Sequence, residues 1–111
     1  MQSNPILYRH LIFYLENGAN PNAKDKNNVS VLSSAVGSYS KYEKDFVKAL
    51  LKASADVNSE DNYKQTPIFQ CHDPKVAKIL LDAGADIRHR DSTGKTPFAY
   101  STCADALYKV L

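Results

Sequence analysis

One short pattern returns three times along the chain. Gly18-Ala19-Asn20-Pro21-Asn22, Ser54-Ala55-Asp56-Val57-Asn58 and Gly84-Ala85-Asp86-Ile87-Arg88 start 36 and then 30 residues apart, an average of 33. Each copy follows an apolar run: Phe13-Tyr14-Leu15, Ala49-Leu50-Leu51 or Ile79-Leu80-Leu81. Seven residues after its first position stands an acid, Asp25, Asp61 or Asp91. Twelve residues after it comes a hydroxyl, Ser30, Thr66 or Thr96, followed by Val31-Leu32, Pro67-Ile68 or Pro97-Phe98. Phased copies at a period between about 20 and 50 residues indicate stacked units that share a continuous core, because one such unit cannot bury its apolar face alone.

The residues of a single unit define its shape. Thr66-Pro67 and Thr96-Pro97 pair a capping hydroxyl with proline at the first helical position, where the missing N–H costs nothing, so a helix is expected to start at each. Gly18 and Gly84 follow the apolar runs and suit a left-handed helix end. Between that position and the next hydroxyl lie polar, turn-forming residues, including Asn27-Asn28 and Thr93-Gly94, which favour a protruding turn or hairpin. The unit reads as helix, helix, finger. In the middle copy Ser54 takes the place of the helix-ending glycine and Lys64 that of the finger glycine. A left-handed conformation at either costs about 1 kcal/mol.

These residues resemble the ankyrin repeat, whose period is about 33 residues and whose signature is Thr-Pro-Leu-His-x-Ala. The clearest stretch runs from Ala77 through Gly84-Ala85-Asp86 to Asp91, Gly94, Thr96 and Pro97. The signature histidine is replaced in every copy, by Ser33, Phe69 and Ala99, so its hydrogen bonds near the finger base are expected to be missing. The resemblance implies an all-α ankyrin-repeat solenoid of stacked antiparallel helix pairs joined by protruding turns or hairpins. The expected division of a single domain is a partial repeat over 1–29, repeats over 30–65 and 66–95, the latter short, and a partial helical repeat over 96–111. Expected helices span 5–17, 30–37, 42–52, 67–71 and 74–83, with a helical pair over 96–111. Leu32, Ala35, Phe46, Ala49, Leu50, Ile68, Val76, Ile79, Leu80, Phe98, Leu107 and Val110 are the expected core.

Composition narrows the function classes. Hydrophobic residues make up 43% and charged residues 23%, as in soluble globular domains. The longest apolar run, Leu11 to Leu15, is far short of the ~20 residues of a membrane span, and no basic-then-apolar leader precedes it, so a soluble, uncleaved chain is expected. A formal net charge of +2 selects neither nucleic acid nor an anionic membrane. Cys71 and Cys103 are too few for a disulfide framework, and reduced thiols in a cytosol are the default, the host cytosol for a secreted effector.

Local clusters that hint at chemistry have plainer explanations. Cys71-His72-Asp73 would need thiol and imidazole converging from distant segments, and adjacent residues on a short helix point apart. Cys71 also falls where the ankyrin pattern has a small buried alanine, which makes packing its expected role. Cys71, Cys103, His10, His72 and His89 show none of the paired spacings of zinc sites, so no metal is expected. Gly94-Lys95-Thr96 lacks the earlier glycine of a phosphate loop. No cofactor is implied.

The ankyrin resemblance instead implies a non-enzymatic protein-binding role on a concave face lined by finger tips and first helices. Carried onto this chain, the variable finger positions are Lys24, Lys26, Asn27 and Val29; Glu60, Asn62, Tyr63 and Gln65; and Arg90, Ser92, Thr93 and Lys95. Tyr63 is the favoured anchor, since tyrosine and arginine are enriched among binding hot spots. Lys24, Lys26, Lys64, Arg88, Arg90 and Lys95 against Glu60 give a mildly basic rim that suits an acidic protein partner. Nucleic acid is a poor second without an aromatic platform. A second expected contact surface is the insertion Ser38 to Lys44, which carries Tyr39. The first helix is apolar on more than one stripe, unlike the polar cap of a solenoid end, and this suggests self-association as the alternative role. The Asn-, Lys- and Tyr-rich repeats resemble those of bacterial or viral ankyrin proteins, which implies binding or inhibition of a host factor.

Overall fold

The computed structural model of the chain describes residues 13–111. Residues 13–16 are the end of a helix, closed by Gly18 at φ +88°. The remainder of the helix expected over 5–17, with the apolar face on which self-association rested, lies outside the described residues.

Four α-helices follow: α1, Val31–Val36; α2, Glu43–Lys52; α3, Pro74–Asp82; and α4, Ser101–Tyr108. Their starts are locally encoded. Ser30 caps α1 by accepting from the Ser33 N–H, and Asp73 caps α3 by accepting from the Lys75 N–H with Pro74 at the first helical position. The other two first helices, Pro67–Gln70 and Pro97–Ala99, are single 3₁₀ turns. Only 18 residues separate Thr66 from Gly84, against 24 between Ser30 and Ser54, and the shorter unit has room for the tighter turn alone.

Thr66 and Thr96 do not cap with their hydroxyls, contrary to the Thr-Pro reading. Their carbonyls close the turns instead, accepting from Phe69 and Ala99 at 3.0 Å. The hydroxyl of the wholly buried Thr66 has no hydrogen-bond partner. Among the described residues the extended pairing is the isolated antiparallel bridge between Lys24 and Ser30, so the architecture is an all-α solenoid.

The layers pile up in chain order. α1 packs on α2 and on the Pro67–Gln70 turn; α2 packs on α3, and α3 on α4. Leu32, Ala35, Leu50, Ile68, Val76, Leu80 and Leu107 are buried as expected, while Phe46, Ile79, Phe98 and Val110 are partly buried against them. Val36, Val47, Phe69, Cys71, Ala77, Cys103 and Ala106 are buried in the same cluster. Two asparagines join successive units at the foot of the fingers. Asn22 Oδ1 accepts from the Asp56 N–H at 2.6 Å and its Nδ2 donates to the Ser54 carbonyl at 3.4 Å. Asn58 repeats the clamp on Asp86 at 2.9 Å and Gly84 at 3.0 Å.

Candidate functional site

Each finger is folded around the oxygen of its own aspartate. Asp25 Oδ1 accepts from the N–H groups of Asn27 and Val29 at 2.8 and 3.0 Å. Asp61 does the same for Tyr63 and Gln65 at 2.8 and 3.0 Å, and Asp91 for Thr93 and Lys95 at 2.9 and 3.0 Å. The aspartate N–H groups close the loops on the carbonyls of Val29, Gln65 and Lys95. An Asx-type turn of this kind satisfies backbone that would otherwise depend on water.

The fingers are also bonded to one another. The Asn62 N–H donates to the Asn27 carbonyl at 3.2 Å, and the Ser92 N–H to the Tyr63 carbonyl at 2.8 Å. Asn28 Nδ2 donates to Asn62 Oδ1 at 2.8 Å, and Lys24 Nζ to the Glu60 carbonyl at 2.9 Å. His89 Nε2 lies 2.8 Å from Glu60 Oε2 and 2.9 Å from the Lys64 carbonyl. The row of tips is therefore a connected surface.

Asp91 carries the heaviest load. It is buried, and besides the two backbone bonds it accepts from Thr93 Oγ1 at 2.6 Å, from the Tyr100 hydroxyl and from Gln65 Nε2 at 3.1 Å. The Thr93 and Tyr100 bonds hold its carboxyl well below the usual carboxylate range, and the Asp91 carboxylate in turn pushes the Tyr100 hydroxyl up. Phe69, in the signature-histidine position, packs edge-on to His89 and Tyr100 with centroids 6.2 and 6.0 Å apart. Aromatic edges and the Tyr100 hydroxyl thus brace the finger base where the histidine is absent.

The sequence-derived binding residues divide into two groups. Lys24, Glu60, Asn62, Gln65, Arg90 and Thr93 spend side-chain atoms inside the finger row, Arg90 by donating to the Gly94 carbonyl at 2.8 Å. Lys26, Asn27, Tyr63, Ser92 and Lys95 present exposed side chains. Tyr63 stands out: its ring is 69% exposed while its backbone is tied to Asp61 on one side and to Ser92 of the next finger on the other.

The insertion carrying Tyr39 is anchored by two residues that sequence reasoning did not single out as a pair. Glu43, buried at the start of α2, accepts from the Tyr39 N–H at 2.9 Å and lies 2.8 Å from His72 Nε2, with Ser38 Oγ at 3.4 Å. The Tyr39 ring, 71% exposed, stacks on His72 with centroids 3.6 Å apart and planes at 6°. Glu43 and His72 are 29 residues apart, and nothing local to either announces the pairing.

Cys71, His72 and Asp73 go three ways, which leaves no converging nucleophile and base. Cys71 turns to Cys103, His72 to Glu43, and Asp73 to the first turn of α3. Among the described residues no three His, Cys, Asp or Glu side chains group as a metal site, and no helix is long and apolar enough to cross a membrane.

A family model for ankyrin repeats, in three copies, matches residues 4–91. An ankyrin repeat-containing protein of Schizosaccharomyces pombe is 34% identical over 64 residues, which are 58% of this chain and 30% of that protein. The matched part thus spans less than a third of that relative's length.

Proposed function

Because the chain belongs to the ankyrin-repeat family, whose repeats are protein–protein interaction modules, we propose that it binds a protein partner through its row of fingers. The observation that carries this reading is Tyr63. Its large amphipathic ring is exposed on a backbone already fixed by neighbouring hydrogen bonds, so little ordering entropy remains to be lost on contact. Lys26 and Lys95 on the flanking tips supply positive charge beside it. This favours an acidic patch on the partner, with a salt-sensitive association rate. The Tyr39 loop is a secondary contact, held in place by Glu43 and His72.

The test is capture of partners from the native cell on the immobilised chain, quantified against Tyr63→Ala and against Tyr108→Ala. Tyr108 is equally exposed, at 69%, but sits on α4 with its ring against Phe98. Loss of a hot-spot tyrosine costs about 2 kcal/mol, roughly a 30-fold drop in affinity. A specific protein lost with Tyr63→Ala and retained with Tyr108→Ala supports the reading, provided circular dichroism shows both variants folded. Equal capture by all three removes the fingers from the interface. Self-association through the apolar first helix is separated from partner binding by light scattering: mass that rises with concentration supports it.

A further inference from the structure

Beneath the ends of the first helices lies a pair of groups the binding function does not use. Cys71 ends the Pro67–Gln70 turn and Cys103 lies in the first turn of α4, 32 residues later, yet their Sγ atoms are 3.0 Å apart. Both are buried, at 2% and 1% exposure. A disulfide needs the sulfurs at about 2.05 Å, so they have only about 1 Å to close. Cys103 Sγ is held at the Ile68 carbonyl at 3.0 Å, which fixes one sulfur against the turn that carries the other.

We propose that Cys71 and Cys103 form an oxidative modification site, a dithiol that a small hydroperoxide converts into a disulfide tying the Pro67–Gln70 turn to α4. The inference does not depend on the finger surface being the binding face. A groove of about 470 Å³, lined by both cysteines together with Gly37, Gln70, Ala99 and Thr102, is the proposed way in for the oxidant.

The two sulfurs are joined by a thiol hydrogen bond. The hydrogen bond with Cys103, together with burial, raises the Cys71 thiol, whereas the hydrogen bond from Cys71 lowers that of Cys103. One sulfur attacks the oxidant and the other resolves the product, since each lies within reach of its partner. One cysteine sulfur attacks the peroxide oxygen; the O–O bond breaks, the alcohol or water leaves with the thiol proton, and that cysteine becomes a sulfenic acid. The second cysteine sulfur then attacks the first; the S–O bond breaks, and hydroxide leaves with the second thiol's proton as water. The two electrons lost by the sulfurs are those gained by the peroxide bond.

The experiment treats the reduced, full chain with hydrogen peroxide, then denatures it, alkylates the remaining thiols and measures intact mass and tryptic peptides. The expected result is a monomer lighter by two hydrogens with neither cysteine alkylated. Peptides 65–75 and 96–109 are then cross-linked, and the midpoint of thermal unfolding rises by roughly 10 °C, reversed by dithiothreitol. In Cys71→Ser and Cys103→Ser the cross-link is lost and oxidation stops at a sulfenic acid on the remaining cysteine, which dimedone traps after denaturation. This readout survives even if the disulfide perturbs folding. Full alkylation of both cysteines after peroxide, sulfinic acid without a cross-link, or a cross-link only between chains would each overturn the proposal.

Discussion

Single residues in left-handed conformations carry the clearest record of where this sequence departs from an ideal repeat. Ser54 and Lys64 adopt φ +75° and +60°, as the glycines expected at those positions would, whereas Gly84 and Gly94 hold the equivalent sites at +97° and +82°. This was legible in the sequence because the gap in the glycine pattern is visible as soon as the copies are aligned. Ser54→Gly and Lys64→Gly are each expected to stabilise the chain by about 0.5–1 kcal/mol, less than the full left-handed cost because glycine also loosens the unfolded chain. Gly84→Ala is expected to destabilise it by about 1 kcal/mol; a Cβ there meets nothing within 4 Å, so the cost is in the backbone alone. Denaturant midpoints measure all three. Asp91 sets a pH dependence of known sign. Its folded carboxyl titrates below the ordinary range, so its contribution is complete above about pH 4–5 and is lost as pH falls through and below the unfolded carboxylate value. Asp91→Asn should flatten that part of the acid limb in urea titrations at successive pH values; an unchanged limb would mean the Thr93 and Tyr100 bonds do not matter to folding.

At the scale of elements, helices and fingers were readable from caps, prolines and spacing, while the contacts that join one unit to the next were not. Asn22 and Asn58 sit in the aligned pattern, but their role depends on backbone groups in the following unit, beyond the reach of any local rule. The same holds for Glu43 and His72, which brace the insertion that the sequence marks as a second contact surface. The Thr-Pro starts predicted the right positions with the wrong atoms, because a 3₁₀ turn closes on the threonine carbonyl and needs no hydroxyl. Glu43→Ala leaves the buried side of the Tyr39 N–H and His72 without an acceptor, a loss of about 1–3 kcal/mol. Hydrogen exchange should show the amides of 38–43 speeding up while those of α3 stay slow. Asn58→Ala should cost about 1 kcal/mol by removing the clamp on Gly84 and Asp86, whereas Arg88→Ala, at the corresponding place in the last copy, should change stability little.

For the whole molecule, the repeat period alone indicated layers stacked in a row, since each layer buries its apolar side only against its neighbours. Ile68 and Leu80, wholly buried between layers, are expected to cost about 2–5 kcal/mol each when cut to alanine, with a cooperative loss of neighbouring layers. Which exposed surface meets a partner was only partly legible. The list of finger positions was available from the pattern, but half of those side chains are consumed in joining finger to finger, and only the structure separates them from Tyr63, Lys26 and Lys95. The rigid row that results is the proposed recognition surface, and its most direct test is hydrogen exchange of the chain alone and with its captured partner. Binding through the fingers predicts added protection over 24–30, 60–65 and 90–95 with the outer faces of α2 and α3 unchanged; protection confined to α2 and α3 would contradict it.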